Sequence, residues 1–187
     1  VAPLLRHCAL RIAAVGLKEG DAYPSEPARK DELLTQMLEQ GAFGMSTGLT
    51  DVPSRYAAFE ELKSLCDVLK DHDRIYTTHA RDYDILGDDQ FLGPLKETFE
   101  LARLSGVRIQ YSHAAINDPT IWGEANRWVD YFEGMESTGL DARLDVYPCD
   151  ASSSALSHYL PAWVQEGGVE GMSRRLLATD IWDLAES

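Results

Sequence analysis

Short apolar segments of β-strand type alternate along this chain with longer segments of helical periodicity, at a spacing of roughly 30 to 35 residues. Such alternation predicts a parallel sheet covered by helices, because parallel neighbours need a long crossover that a helix usually supplies. The predicted strands are 4–12, 42–46, 74–78, 107–112 and 140–147. The predicted helices are 27–40, 57–70, 92–105 and 124–137. Residues 148–187 are expected to form a loop and then one or two helices.

Two α/β architectures fit this pattern, a doubly wound open sheet and a (β/α)8 barrel. Neither GxGxxG nor GxxxxGKS/T follows the first predicted strand, which disfavours the nucleotide-binding open sheets. Five strands are too few to close an eight-stranded barrel, so a barrel implies that further strands are missing. In a barrel, chemistry takes place where the strands end, at their C-terminal face.

Acidic residues outnumber basic ones, with 31 Asp and Glu against 17 Lys and Arg, for a net charge of −14. This balance argues against nucleic-acid binding, which needs clustered Lys and Arg to contact the phosphates. Every apolar run falls short of the roughly 18 residues that indicate a membrane span. We therefore expect a cytoplasmic protein with no nucleic-acid or membrane partner, and the sequence leaves its oligomeric state open.

The start of the chain does not resemble a signal peptide, because Arg6, His7 and Arg11 interrupt its apolar residues. The lack of an initiator Met predicts that Val1 is not the natural start. The three cysteines lie far apart without CxxC spacing, which predicts neither a disulfide framework nor a zinc knuckle. Cys66 falls in the apolar helical pattern LKSLCDVL, so we expect it in the core as a reduced thiol.

Two histidines follow neighbouring predicted strands, His79 in RIYTTHAR and His113 in RIQYSHAA. They are separated by one strand–helix unit, so in a barrel both would reach the same mouth. Two imidazoles there can bind one or two divalent metals, with zinc the leading candidate. The alternative is that each is a hydrogen-bonded structural residue. A catalytic zinc usually has three protein ligands and a water.

Further candidates lie beside this pair. Asp145 and Tyr147, at the end of the fifth predicted strand, are candidate ligands, and Asp145 is equally a hydrogen-bond acceptor for an imidazole. His7 is interpreted as a structural or supporting group. Candidate substrate-binding residues are Arg81, Arg55, Tyr56 and Tyr147. An arginine at a barrel mouth can pair with a substrate carboxylate, although a surface ion pair is the alternative for each.

Six motifs resemble those of a known enzyme family. The segment GAFGMSTGLTDVPSRYAAFEEL resembles the pattern GAxGxSTGLxYxPxxYAxxEEL, and the strand ends IYTTHAR and IQYSHAA resemble ATHxR and ISHxK. Downstream, LDARLDVYPCDASSSAL resembles DxYPYxAGST and HYLPAWVQEGG resembles LPPWVxEGG, while upstream LRHCALRIAAVG resembles VGHxxLR. They keep the family's order over about residues 4–170. The chain thus resembles the N-acyl-D-amino-acid deacylases, or D-aminoacylases, of the metal-dependent amidohydrolase superfamily.

The resemblance implies a (β/α)8 TIM barrel beside a small β-sandwich, with residues 1–187 as a partial barrel domain that lacks the sandwich and the terminal strands. It implies zinc-dependent hydrolysis of the amide bond of an N-acyl-D-amino acid, or of a related linear or cyclic amide, by a larger enzyme. It also implies that His79 and His113 are zinc ligands. The family's catalytic Asp, in a GSD-type motif, is expected outside this chain, so no catalytic residue is assigned.

The chain also departs from the family pattern. The family's first-strand HxH pair and the Cys of its GNCG motif are absent, Ala115 stands where the family has Lys, and Cys149 replaces the second Tyr of YPY. We therefore expect the isolated chain to be inactive, with substrate specificity and metal number left open. An alternative hypothesis is a non-catalytic truncated homologue that acts as a binding or oligomerisation module. A metal-independent barrel enzyme is a third, provided that the two histidines bind no metal.

Overall fold

A computed structural model describes residues 2–16, 26–81, 92–116, 119–149, 151 and 153–178. The strands in these ranges are β1 (Leu4–Arg6), β2 (Gly44–Gly48), β3 (Ile75–His79), β4 (Arg108–Tyr111) and β5 (Ala142–Leu144). The helices are α1 (His7–Ala14), α2 (Glu26–Glu39), α3 (Phe59–Asp71), α4 (Gly93–Ser105), α5 (Ala125–Glu136), α6 (Ala162–Gln165) and α7 (Gly168–Leu176). None of these described helices is long and apolar enough to span a membrane.

The five strands form one sheet in the order β1-β2-β3-β4-β5, and every pair is parallel. Each strand therefore lies beside the one that follows it in the chain, with helices in the crossovers. This sequential parallel order is that of one segment of a (β/α)8 barrel, and it confirms the predicted α/β fold with about five strands. Helices α6 and α7 confirm the prediction for the C-terminal part, of which residues 179–187 lie outside the described ranges.

The first strand is much shorter than predicted, because the chain turns into α1 directly after Arg6. The strand predicted over residues 4–12 is therefore wrong beyond Arg6, its first third. In α1 the buried residues are His7, Leu10 and Arg11, which have the i, i+3, i+4 spacing of one helix face. Two of these three are polar, so hydrophobicity alone did not reveal the helical period.

The core lies between the helices and one face of the sheet. The in-register row Met45, Tyr76, Ile109 and Ala142 is buried on that face. Leucines of the helices pack against it, among them Leu34, Leu62, Leu65, Leu69, Leu95 and Leu101. Cys66 is fully buried among them as a free thiol, as predicted, and burial raises its pKa.

A buried ionic cluster joins α1, α2 and α3, and we call it the Glu61 cluster (Glu61, His7, Arg11 and Lys30). The Glu61 carboxylate contacts His7 Nε2 at 3.0 Å and Lys30 Nζ at 2.6 Å, and it accepts a hydrogen bond from Arg11. The other ring nitrogen of His7 lies 2.9 Å from the Ser54 hydroxyl, in the loop that follows β2. Removing one partner from such a cluster leaves the others buried and uncompensated, so it should hold the three helices in one arrangement.

Replacing Glu61 by Gln keeps the side-chain shape but removes the negative charge from the cluster. We expect a loss of about 3–5 kcal/mol in the free energy of unfolding, the usual cost of removing one partner of a buried ion pair. Urea denaturation at pH 7 measures this loss. Glu60 precedes it on α3 and is exposed, so E60Q should change stability by less than about 0.5 kcal/mol. Equal losses in the two variants would contradict the role of the cluster.

The Glu61 cluster also sets a pH dependence of stability. Burial disfavours the Glu61 carboxylate, but hydrogen bonds from His7 and Lys30 outweigh burial. Together with the charges of Arg11 and Lys30, these bonds lower the pKa from 4.5 to about 2. A carboxyl with a lowered folded-state pKa stabilises the fold above its unfolded pKa and loses this effect as the pH falls. The stability difference between wild type and E61Q should therefore be full above about pH 5 and shrink towards pH 2. A difference that stays constant over this range would contradict the assignment.

Gly44 in β2 pairs with Ile75 of β3. A Cβ at this position would collide with the backbone oxygen of Ile75 and would meet its Cγ2 at 2.8 Å. Since the nearest atom belongs to the backbone of the paired strand, no side-chain rotation relieves the contact.

We therefore expect G44A to lower the free energy of unfolding by about 1–3 kcal/mol, the usual cost of overpacking. Gly134 in α5 provides the control, because a Cβ there meets nothing within 4 Å. G134A should raise stability by about 0.5–1 kcal/mol, since Ala suits a helix interior better than Gly. Thermal unfolding of the two variants checks the predicted loss in G44A and the predicted gain in G134A. A G44A protein as stable as wild type would show that β2 can move away from β3 to accommodate the methyl group.

Candidate metal centre at the strand ends

His79 is the last residue of β3 and points away from the core. Side chains alternate along this strand, with Tyr76 and Thr78 buried and Thr77 and His79 half-buried on the other face. His113 comes two residues after β4, which pairs with β3. Because both strands run in the same direction, their C-terminal ends meet at one edge of the sheet.

The structure brings the two histidines into direct contact. Nδ1 of His79 lies 2.9 Å from Nε2 of His113, and the ring centroids are 4.6 Å apart at an interplanar angle of 62°. Two imidazole nitrogens at this separation can share a proton between them or a cation. The convergence expected from their spacing is thus present, and their role as metal ligands stays a prediction.

The pair fits part of a zinc site. Two ligands of a tetrahedral zinc, each about 2.0–2.1 Å from the metal, lie about 3.3 Å apart. The observed 2.9 Å is close to this value, so a small outward movement of the rings would place both nitrogens at ligand distance. No group of three or more His, Cys, Asp or Glu side chains suited to a metal occurs in the described ranges. The pair therefore offers two of the three or four ligands that zinc needs.

A network of buried hydroxyl groups supports the end of β3 on the core face of the sheet. Thr47 of β2 donates to the Thr78 hydroxyl at 2.8 Å and lies 2.9 Å from the Tyr76 hydroxyl. Burial raises the pKa of Tyr76, so this phenol stays protonated and can donate. The backbone oxygen of His79 accepts a hydrogen bond from Leu49 at 3.0 Å. These contacts tie the end of β3 to β2.

Arg81 follows His79 by two residues and makes several hydrogen bonds. Its Nε is 3.1 Å from both carboxylate oxygens of Glu97 on α4. Its Nη1 and Nη2 donate to the backbone oxygens of Arg55 and Ala57 at 2.7 Å each. A substrate carboxylate would have to displace one of these acceptors or bind beside them. The substrate-binding role predicted for Arg81 stays a prediction.

The other predicted substrate-binding residues lie on both sides of the histidines. Arg55 and Tyr56 belong to a short 3-10 helix, Ser54–Tyr56, after β2, and the Tyr56 hydroxyl donates to the Ala162 carbonyl at 2.7 Å. Tyr147 is half-buried and follows β5, which ends at Leu144 rather than at the predicted residue 147. His7 belongs to the Glu61 cluster, in accordance with its structural interpretation.

Sequence patterns did not reveal two groups of supporting contacts. Asp145 accepts a hydrogen bond from the backbone N–H of His113, whereas the sequence suggested an imidazole as its partner. Glu97 pairs with Arg81 from a helix residue that showed no motif of its own. Arg81 and Glu97 are 16 positions apart, and His113 and Asp145 are 32 positions apart. Contacts between residues so distant leave no local pattern in the sequence.

Replacing Arg81 by Lys tests how much the structure depends on these bonds. Lysine keeps the charge but lacks the planar fork that reaches Glu97 and two carbonyls together. We expect R81K to lower the free energy of unfolding by about 1–2 kcal/mol, since two or more hydrogen bonds are lost from a largely buried group. Arg103 pairs with Glu100 on the exposed face of α4, and R103K should leave the urea midpoint unchanged. An R81K midpoint equal to that of wild type would mean that these bonds contribute nothing.

Comparisons with known proteins bear on the fold of the chain. No family model matches the chain. It is 31% identical over 158 residues to the N-acyl-D-glutamate deacylase of Alcaligenes xylosoxydans xylosoxydans, covering 83% of this chain and 31% of the relative. The crystal structure of N-acyl-D-glutamate deacylase from Bordetella bronchiseptica, complexed with zinc and a phosphonate mimic of the tetrahedral intermediate, superimposes with a TM-score of 0.74. That match has 29% identity and covers 80% of this chain and 31% of the other.

A crystal structure of D-aminoacylase, which defines a novel subset of amidohydrolases, superimposes with a TM-score of 0.73 at 28% identity and covers 79% of this chain and 30% of the other. The fold thus places the chain among proteins built on the amidohydrolase type of TIM barrel. More specifically, the chain is a homologue of the N-acyl-D-amino-acid deacylases. It spans about a third of the length of the curated relatives it matches.

Proposed function

We propose that this chain contributes to a zinc-dependent hydrolase that cleaves the amide bond of N-acyl-D-amino acids. The main supporting observation is the 2.9 Å contact between His79 and His113 at the C-terminal edge of the sheet. This edge is where barrel enzymes carry their chemistry, and the fold is that of deacylases. A solved deacylase of this type contains zinc, which agrees with two imidazole donors.

His79 and His113 would hold the metal, together with ligands from outside the pair. When bound there, zinc would supply a Lewis acid for the amide carbonyl and would lower the pKa of a bound water to about 7. The Glu61 cluster and the Arg81 contacts keep the loop after β2 in place beside this site. We propose that the catalytic Asp lies outside residues 1–187, as expected from the sequence.

The substrate carboxylate requires a cationic partner at the mouth. Arg81 and Arg55 are the two predicted residues, and they lie together because Arg81 donates to the Arg55 backbone oxygen. The hydrogen bonds that Arg81 makes to Glu97, Arg55 and Ala57 favour Arg55 as the group that pairs with the carboxylate. Tyr56 and Tyr147 would then line the two sides of the substrate.

We propose that β1 to β5 form the middle of an eight-stranded barrel whose remaining strands and β-sandwich lie outside this chain. The acidic composition and three free cysteines, Cys8, Cys66 and Cys149, support a cytoplasmic location.

The metal-binding part of the proposal can be tested on the chain itself. We expect isothermal titration calorimetry to detect zinc binding to the wild type. H79A and H113A should each weaken it by more than roughly 100-fold, because even residues that only support ligands are worth about 10–100-fold. His72 is the matched control, since it directly follows α3 at the opposite edge of the sheet and bonds the Val68 carbonyl. Unchanged zinc affinity in H79A or H113A would refute the assignment.

The hydrolytic part requires the longer polypeptide that contains these residues. With zinc bound, it should release D-glutamate or a neutral D-amino acid from the N-acetyl derivative and leave the L-enantiomers intact. H79A and H113A should abolish release, and H72A should not. Zinc binding without hydrolysis of any N-acyl-D-amino acid would favour the alternative hypothesis of a non-catalytic homologue.

A further inference from the structure

His113 has an unusual backbone conformation. Its φ is +41°, in the left-handed region that residues other than glycine seldom adopt. Such a conformation is unfavourable for a residue with a Cβ and persists only where the surroundings impose it. The contacts that impose it here should therefore be visible around the backbone of His113.

Asp145, which directly follows β5, makes several contacts of this kind. Its Oδ1 accepts a hydrogen bond from the backbone N–H of His113 at 2.6 Å, and its Oδ2 accepts one from Nε2 of Gln110 at 2.8 Å. Its own backbone N–H donates to the Tyr111 carbonyl at 3.1 Å, and its carbonyl accepts the N–H of Ala114 at 2.7 Å. Asp145 thus bonds the chain before, at and after the histidine.

These bonds replace the regular pairing of the two strands. The β4–β5 register ends with Tyr111 opposite Leu144, one residue before Asp145. On the other side, the N–H of Ser112 donates to the Thr78 carbonyl of β3 at 3.0 Å. The turn at His113 is therefore held from β3 on one side and from Asp145 on the other. Its imidazole then lies against His79.

We propose that Asp145 is a positioning residue that fixes the backbone of His113 and so directs its imidazole towards His79. Only the metal-binding consequence of this role rests on the proposed function; the backbone role is independent of any metal. The carboxylate acts here as a paired hydrogen-bond acceptor, with one oxygen for the His113 N–H and one for the Gln110 amide. Its action on the imidazole passes through the backbone.

An acceptor role and a charge role for Asp145 predict different behaviour of its variants. Asparagine keeps one oxygen for the His113 N–H, and its amide nitrogen can donate to Gln110 if the Gln110 amide flips to present oxygen. Alanine removes both acceptors. D145N should therefore rescue most of what D145A loses if the role is positioning by hydrogen bonds. If the charge itself acts on a metal or a proton, the two variants should be equally impaired.

The test is amide and ring NMR spectroscopy of the metal-free chain, followed by zinc titration. In the wild type, hydrogen exchange at the His113 amide should be slower than at an unprotected amide by a factor of about 10 or more. This factor corresponds to one hydrogen bond of ordinary net strength. The rings of His79 and His113 should show a mutual nuclear Overhauser effect. D145A should lose both signals, and D145N should retain both. D141N is the matched control, because Asp141 is exposed and its carboxylate lies 3.7 Å from Arg143.

Zinc affinity should fall by about 10–100-fold in D145A and by less than about 5-fold in D145N, the range for residues that support a metal ligand. An unprotected His113 amide in the wild type would overturn the proposal without any variant, including in the case that D145A does not fold. Unchanged ring contact in a folded D145A, or equal loss of that contact in D145N, would also overturn it. If the wild type binds no zinc while the NMR results hold, the proposed function fails and the positioning role stands.

Discussion

Parallel pairing of β3 with β4 is the constraint on which the candidate site depends. The register runs from Ile75 opposite Arg108 to Thr78 opposite Tyr111, so the two strands end at one level. Two histidines that are 34 residues apart in the chain thereby come within 2.9 Å. A slip of one residue in this register would shift the turn at His113 relative to the end of β3 by roughly 3.3 Å and separate the pair.

The structure surrounds this pair with contacts that hold the loop after β2 and the turn after β4. On one side, the Glu61 cluster fixes Ser54 through His7, and Arg81 holds the carbonyls of the same loop. On the other side, Asp145 holds the turn at His113. Both imidazoles are therefore fixed largely through the positions of their strand ends. Such an arrangement suits a site that must present its ligands in one geometry before a metal binds.

The sequence predicted the features that have a local pattern. Strand–helix alternation gave the five-stranded parallel sheet, and the position of His79 and His113 after neighbouring strands gave their convergence. The start of α1 has no such pattern, because its inward face carries His7 and Arg11. Both are buried against Glu61, which lies 54 positions from His7 and 50 from Arg11. The bond from Asp145 to the His113 backbone could not be predicted for the same reason, since any side chain at position 113 presents that N–H.

We expect His79 and His113 to hold one metal ion between them. Diffraction at the zinc absorption edge, from crystals of the chain grown with zinc, would locate this ion. An anomalous peak should then lie about 2.0–2.1 Å from an imidazole nitrogen of each histidine. A zinc ion bound elsewhere, or a clear pair of imidazoles that still contact each other with no metal between them at saturating zinc, would contradict this expectation.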